Sequence, residues 1–190
     1  MNKSRPALFL DRDGVVNKNH SYVFEIQKFE FFPEIFEVCL IANQAKMPIV
    51  IVTNQSGIGR GYFSQSEYEN LTNWMLSEFI NQGIQITEVL HAPENPDSTP
   101  HAIPERRKPS PTMFLEAATK LNLDLSKSIM IGDNESDMLG AERAGIAHRL
   151  LIGHLEGSTV ATVVIKDHRD CVKTTGEIVV GIRKNLGELK

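Results

Sequence analysis

Cysteine is scarce in this chain. Only Cys39 and Cys171 occur among 190 residues. They stand far apart and form no CxxC pair, which excludes a disulfide framework and a cysteine-built zinc site. Long apolar runs are missing too. Met1 to Pro6 is polar, and the run that follows is only Ala7–Leu10. Neither a secretory leader nor a membrane-spanning helix is expected, so the expected location is the cytoplasm. A surplus of positive charge is also lacking: 20 Lys and Arg against 24 Asp and Glu leave −4. No broad basic face is advertised to nucleic acid, and neither nucleic acid nor membrane is an expected partner. The six histidines show no HExxH spacing. Internal repeats and low-complexity tracts are absent.

What remains is an ordinary globular composition, 41% hydrophobic and 23% charged. At this length a single domain over residues 1–190 is expected, with a core that needs no staples. A monomer is the simplest expectation.

Short apolar or β-branched runs alternate with helical patterns. The runs are Ala7–Leu10, Pro48–Val52, Ile84–Leu90, Ser128–Ile131, Ala147–Ile152 and Thr162–Ile165. Continuous runs of this length fit strands buried in a parallel sheet. Between them, Glu34–Lys46 carries a stripe of Ile35, Val38, Cys39, Ile41 and Ala42. A second helix begins at Ser64, where Ser64-Gln65-Ser66-Glu67 reads as a capping box. A third starts at Pro111, and a fourth spans about Ser136–Ala144 before Gly145. Alternation of this kind predicts an α/β fold: a doubly wound, Rossmann-like parallel sheet. One stretch breaks the rhythm. Residues 91–111 hold six prolines and read as a long loop.

Several strand ends carry polar groups. The first run ends in Asp11-Arg12-Asp13-Gly14. Two carboxylates that close repel, so a cation or a shared proton is expected between them. The second ends in Thr53-Asn54-Gln55-Ser56-Gly57-Ile58-Gly59-Arg60-Gly61, a hydroxyl and an amide before a glycine-rich turn whose N–H groups can meet phosphate. The fourth ends in Gly132-Asp133-Asn134-Glu135-Ser136-Asp137. Those acids suit either a helix N-terminus or an oxygen-loving metal such as Mg²⁺. Arg106-Arg107-Lys108-Pro109 leaves the proline-rich loop with a lysine that can act as a point charge on a phosphoryl group.

Taken together, DxD, Thr, Lys and GDxxxD resemble the haloacid dehalogenase (HAD) superfamily of phosphatases, over Asp11 to Asp137. Asp11-Arg12-Asp13-Gly14, Tyr22-Val23-x-Glu25-Ile26, Asn54-Gln55-Ser56-Gly57-Ile58-x-Arg60-Gly61 and Arg107-Lys108-Pro109 are similar to the branch of heptose bisphosphatases and histidinol phosphatases. The resemblance implies a HAD-like fold with no separate cap domain and a flap over about 14–32. It implies Asp11 as nucleophile and Asp13 as general acid/base, with Thr53 and Lys108 on the transferring phosphoryl group. Asn54, Gln55, Ser56 and Arg107 would contact substrate, as would Asn19, His20, Ser21 and Tyr22. Mg²⁺ would sit on Asp11, the backbone carbonyl of Asp13, and Asp133, with Asp137 in support. The implied substrate is a small phosphorylated sugar, in first place a heptose 1,7-bisphosphate. Histidinol phosphate and a non-enzymatic phosphosugar-binding role stay open.

The chain departs from that branch in one loop. Heptose bisphosphatases usually carry a zinc loop close to CxH…CxC before Arg-Lys-Pro. The corresponding positions here are about Ala92, Glu94, Pro104 and Arg106, so no zinc is expected; His91 and His101 do not complete a structural site. Asn134 also stands where a lysine is common.

Overall fold

The computed structural model describes residues 4–98, 105–153 and 157–189. Six strands form its sheet: β1 (Leu8–Leu10), β2 (Ile49–Asn54), β3 (Glu88–Ala92), β4 (Ile129–Gly132), β5 (His148–Ile152) and β6 (Val163–Ile165). All neighbours are parallel, in the order β3-β2-β1-β4-β5-β6. The order reverses at β1, which lies between β2 and β4. Ligands sit beyond the carboxyl ends of strands at such a switch point.

Successive strand residues point to opposite faces, so a doubly covered strand must be apolar throughout. In β1, Leu8 and Leu10 join one core layer and Phe9 the other. The first layer is closed by α1 (Glu34–Gln44), α3 (Gln65–Asn81) and α6 (His168–Asn185), through residues such as Val38, Phe79 and Val179. The second is closed by α4 (Thr112–Leu121) and α5 (Glu135–Arg143), through Phe114, Ala117, Met138 and Ala141. Cys39 and Cys171 are free thiols buried on α1 and α6. No helix among the described residues is long and apolar enough to cross a membrane.

Local signals account for several helix starts. Ser64 caps α3: its Oγ accepts from Glu67 N–H at 3.2 Å, and Glu67 Oε2 accepts from Ser64 N–H at 2.7 Å. α5 has a second capping box, Asn134 with Asp137, and so begins at Glu135 rather than Ser136. α1 ends at Gln44, short of Lys46, because Lys46 takes φ +56° and turns the chain. The apolar run Ile84–Leu90 is displaced in the structure. Ile84 closes the end of α3, its N–H on Phe79 O, and the ladder starts only at Glu88, opposite Val50. A short helix missed by periodicity, α2 (Ser56–Gly59), follows β2 directly.

The flap after β1 is tied back by two isolated bridges, Asp13 with Asn17 and Asn17 with Phe31. Val23 and Phe29 anchor it in the core. Because β3 runs to Ala92, the proline-rich loop begins one residue after it. Residues 99–104, with Pro100, His101 and Pro104, lie outside the described residues.

Candidate active site

The carboxyl ends of β1, β2 and β4 bring together the polar groups that the sequence spreads over more than 120 positions. Asp11 directly follows β1, Thr53 and Asn54 end β2, and Asp133 directly follows β4. They line a cavity of about 230 Å³ with Asp13, Asn19, Arg107, Lys108 and Asp137. A larger cavity, about 560 Å³, opens beside the first residues before β1 and holds none of these groups.

Lys108 is the hub. It is 3% exposed, and its Nζ lies 2.6 Å from Asp11 Oδ1, 2.6 Å from Asp137 Oδ1 and 2.7 Å from Val52 O. All three ammonium protons therefore have acceptors. Its backbone is held as firmly: Lys108 N–H donates to Asn54 Oδ1 at 3.0 Å, and Asn54 Nδ2 donates to Lys108 O at 3.1 Å. Asn54 thus mimics a strand partner and pins the end of the loop to β2.

Asp11, Asp133 and Asp137 bring carboxylate oxygens within 4.8 Å of one another. Burial pushes the Asp11 carboxyl well above its usual range; Lys108 pulls it back, and Asp137, Asp133 and Asp13 push it up further. Asp133 is pushed up to about 7, first by burial and then by Asp137. Burial alone would lower the Lys108 ammonium, but Asp11 and Asp137 outweigh it and raise it. The cluster carries more negative charge than Lys108 balances. An all-oxygen donor set with surplus negative charge fits a hard divalent cation such as Mg²⁺.

Asp13 lies in a different environment. Arg12 Nη2 approaches its Oδ2 at 2.8 Å and Oδ1 at 3.0 Å, and Arg12 Nε reaches Oδ2 at 3.1 Å. Asn17 Nδ2 donates to Oδ1 at 3.1 Å and Gln55 Nε2 to Oδ2 at 2.8 Å. Arg12 is itself 1% exposed, donates to Val23 O at 2.8 Å and faces the Tyr68 ring at 5.9 Å. The glycines next to the acids are dictated by space. A Cβ on Gly14, where φ is +96°, would lie 1.9 Å from Asp133 Oδ2. One on Gly132 would lie 2.5 Å from Asp137.

Other expected residues are placed elsewhere. His20, Ser21, Tyr22, Gln55 and Ser56 do not line this cavity. His20 bonds Glu30 at 3.1 Å, and Tyr22 packs edge-on against Tyr62 at 4.8 Å. Gln55 turns inward to Asp13, and Ser56 opens α2. Asn134 and Ser136 do line the cavity. Ser136 was not foreseen, although its place in the first turn of a helix that follows a strand-end acid is a usable signal. Arg12 and Asn17 were missed as well, because residues between and beyond paired acids read as plain turn. In the proline-rich loop, Arg106 donates to His91 O at 3.0 Å and pairs with Glu116 at 3.0 Å. His91 Nε2 meets Gln65 Oε1 at 3.2 Å.

Comparisons agree with this geometry. A HAD-hydrolase-like family profile matches residues 105–167. A D-glycero-alpha-D-manno-heptose-1,7-bisphosphate 7-phosphatase of Burkholderia mallei is 41% identical over 172 residues, 87% of this chain and 91% of that protein. The D-glycero-beta-D-manno-heptose-1,7-bisphosphate 7-phosphatase of Vibrio cholerae is 38% identical, over 88% of this chain and 94% of that protein. Among solved structures, a Mesorhizobium loti chain assigned to the HAD-like phosphatases superposes with a TM-score of 0.82 at 33% identity, over 97% of this chain and 88% of that one. The D,D-heptose 1,7-bisphosphate phosphatase from B. bronchiseptica, solved with magnesium and phosphate, gives 0.76 at 25% identity, over 89% of this chain and 97% of that one. With a six-stranded doubly wound sheet and acids gathered at its switch point, the chain belongs to the HAD-like family of heptose-1,7-bisphosphate 7-phosphatases.

Proposed function

We propose that the chain is a phosphatase that hydrolyses a small sugar phosphate, D-glycero-D-manno-heptose 1,7-bisphosphate at its 7-phosphate, through an aspartyl-phosphate on Asp11. The observation that carries this reading is Asp11 itself: a carboxylate at the switch point, 2.6 Å from a buried lysine and clustered with Asp133.

Each residue has a distinct part. The free oxygen of Asp11 attacks phosphorus and forms the acyl phosphate. Thr53 donates to a phosphoryl oxygen, the Lys108 ammonium attracts the group as a nearby positive charge, and Asn54 fixes Lys108 through its backbone. Asp13 protonates the leaving alkoxide and then takes a proton from the water that cleaves the intermediate. Asn19 and Arg107 face the same cavity and orient the sugar phosphate. Asp11, the carbonyl of Asp13, and Asp133 would hold Mg²⁺, with Asp137 steadying Lys108. The metal supplies charge neutralisation between the Asp11 carboxylate and the phosphate dianion.

The loop before Lys108 belongs to this proposal as a zinc-free element. Ala92 and Glu94 offer no thiol or imidazole, and Arg106 holds the loop to β3 and α4 instead. Selectivity rests on loops around an open cavity, in a single catalytic unit.

The test compares phosphate release from heptose 1,7-bisphosphate and histidinol phosphate with Mg²⁺ present. Faster release from the bisphosphate, lost in Asp11→Asn, is the expected result. No release from either substrate would sink the reading, and preference for histidinol phosphate would reassign the substrate.

A further inference from the structure

Gln55 lies just beyond β2, is 3% exposed, and has its backbone N–H on Ala92 O at 2.8 Å. Its side-chain nitrogen sits between two groups of the reaction, 2.8 Å from Asp13 Oδ2 and 2.9 Å from Thr53 Oγ1. The amide nitrogen, not its oxygen, faces Asp13, so Gln55 donates to Oδ2, which can accept whether or not the carboxyl carries a proton on its other oxygen. The second amide proton goes to Thr53. That occupies the Thr53 oxygen as an acceptor and leaves its hydroxyl proton free for a phosphoryl oxygen.

Asp13 has other partners, but they differ in kind. Arg12 is its chain neighbour and Asn17 belongs to the same turn, so both travel with the β1 loop. Gln55 directly follows β2, 42 positions away. Among the described contacts of the Asp13 carboxylate, it alone ties that group to the strand that carries Thr53.

We propose that Gln55 is a positioning residue for proton transfer: it fixes Asp13 relative to the phosphoryl group that Thr53 binds, and it does not contact substrate. The inference rests on the phosphatase reading above. In the step concerned, the P–O bond to the sugar breaks as Asp11 oxygen bonds phosphorus. The Asp13 carboxyl proton passes to the leaving alkoxide, and Asp13 is left as a carboxylate.

Leaving groups separate this role from a structural one. A sugar alkoxide needs the proton, whereas 2,4-dinitrophenolate leaves as a stable anion. The measurement is kcat/KM, which reports phosphoryl transfer to Asp11, on heptose 1,7-bisphosphate and on 2,4-dinitrophenyl phosphate. For Gln55→Met the value on the sugar falls about 10- to 100-fold, and on the aryl ester by less than about 3-fold. Any effect through Thr53 is common to both substrates and cancels in the ratio. Gln55→Glu keeps the shape, removes both amide protons and gives the same selective loss, which covers a fold defect in the first variant. Equal losses on the two substrates, or none on either, overturn the proposal. Asp11→Asn is the separate control: wild-type turnover that disappears in this variant upholds the phosphatase reading even if the Gln55 ratio does not move. Absence of wild-type turnover on both substrates removes reading and inference together.

Discussion

Lys108 Nζ lies 2.6 Å from Asp11 Oδ1 and the same distance from Asp137 Oδ1, so one buried ammonium bridges the carboxyl that follows β1 and an acid in the first turn of α5. Removing it leaves two buried carboxylates face to face. Lys108→Met should destabilise the fold by about 3–5 kcal/mol, the range for breaking one side of a buried pair. Activity should fall below detection. Denaturant melts and phosphate release check both; a melt like the wild type would show that the bridge carries no stability.

Asp11→Asn separates the two effects. The amide keeps the shape and a hydrogen-bond acceptor for Lys108 but removes the charge that burial and three neighbouring acids disfavour. Turnover should vanish while the melting temperature in a metal-free buffer holds or rises. A large drop in melting temperature would contradict the strained charge balance described above.

Of the residues proposed for the chemistry, those on the sheet are legible because each stands at the end of an apolar run. Asp11, Thr53 and Asp133 follow from strand register, and Lys108 from its place before a helix. Their support was not legible. Arg12 stands between two acids and reads as plain turn, yet it is buried and grips Asp13. Gln55 sits in a glycine-rich turn that suggests ligand contact, but α2 turns its side chain inward. The displacement of β3 has a similar cause. Ile84 and Glu88 belong to different packing problems, a helix end and an edge strand, which a run of apolar residues cannot distinguish.

Gly14 gives a sharper steric test. Its φ is +96°, and a Cβ there would meet Asp133 Oδ2 at 1.9 Å. Gly14→Ala should cost about 1–3 kcal/mol from backbone strain and displace Asp133. The expected readouts are a lower melting temperature and a weaker response of activity to Mg²⁺. An unchanged Mg²⁺ dependence would separate Gly14 from the acid cluster.

Metal removal should be visible without any turnover. Mg²⁺ that binds only the folded chain raises its stability by mass action, about 2.7 kcal/mol at a hundredfold excess over Kd. The wild type should therefore melt higher in Mg²⁺ than in EDTA. Asp133→Asn should melt higher than the wild type in EDTA, since it relieves the burial and repulsion acting on that carboxyl. It should also lose most of the Mg²⁺ increment; an increment of wild-type size would move the metal away from Asp133.

His168 provides a pH dependence. It stacks on Phe32 at 3.5 Å and its Nε2 lies 3.1 Å from Gly14 O. Burial lowers its pKa from 6.5, against smaller opposing effects of the Gly14 bond, Glu34 and Asp167. A depressed folded pKa means that the unfolded chain binds the proton more readily. Stability from this group is thus present above the unfolded value and is lost as pH falls through 6.5 towards the folded one. His168→Gln keeps a donor for Gly14 and removes the titration. Its melting temperature should fall less than that of the wild type between about pH 7.5 and 5.5. Parallel curves for the two proteins would refute the assignment.

The two hydrogen bonds between the Asn54 amide and the backbone of Lys108 have an evolutionary consequence. They clamp the lysine proposed to act on the phosphoryl group to the sheet shortly before α4, near the end of the proline-rich excursion. Residues before the clamp can lengthen, shorten or change composition without moving the ammonium. Substrate preference can then drift in one segment while the chemistry stays put, and grafting that segment between relatives is a practical route to exchange specificity.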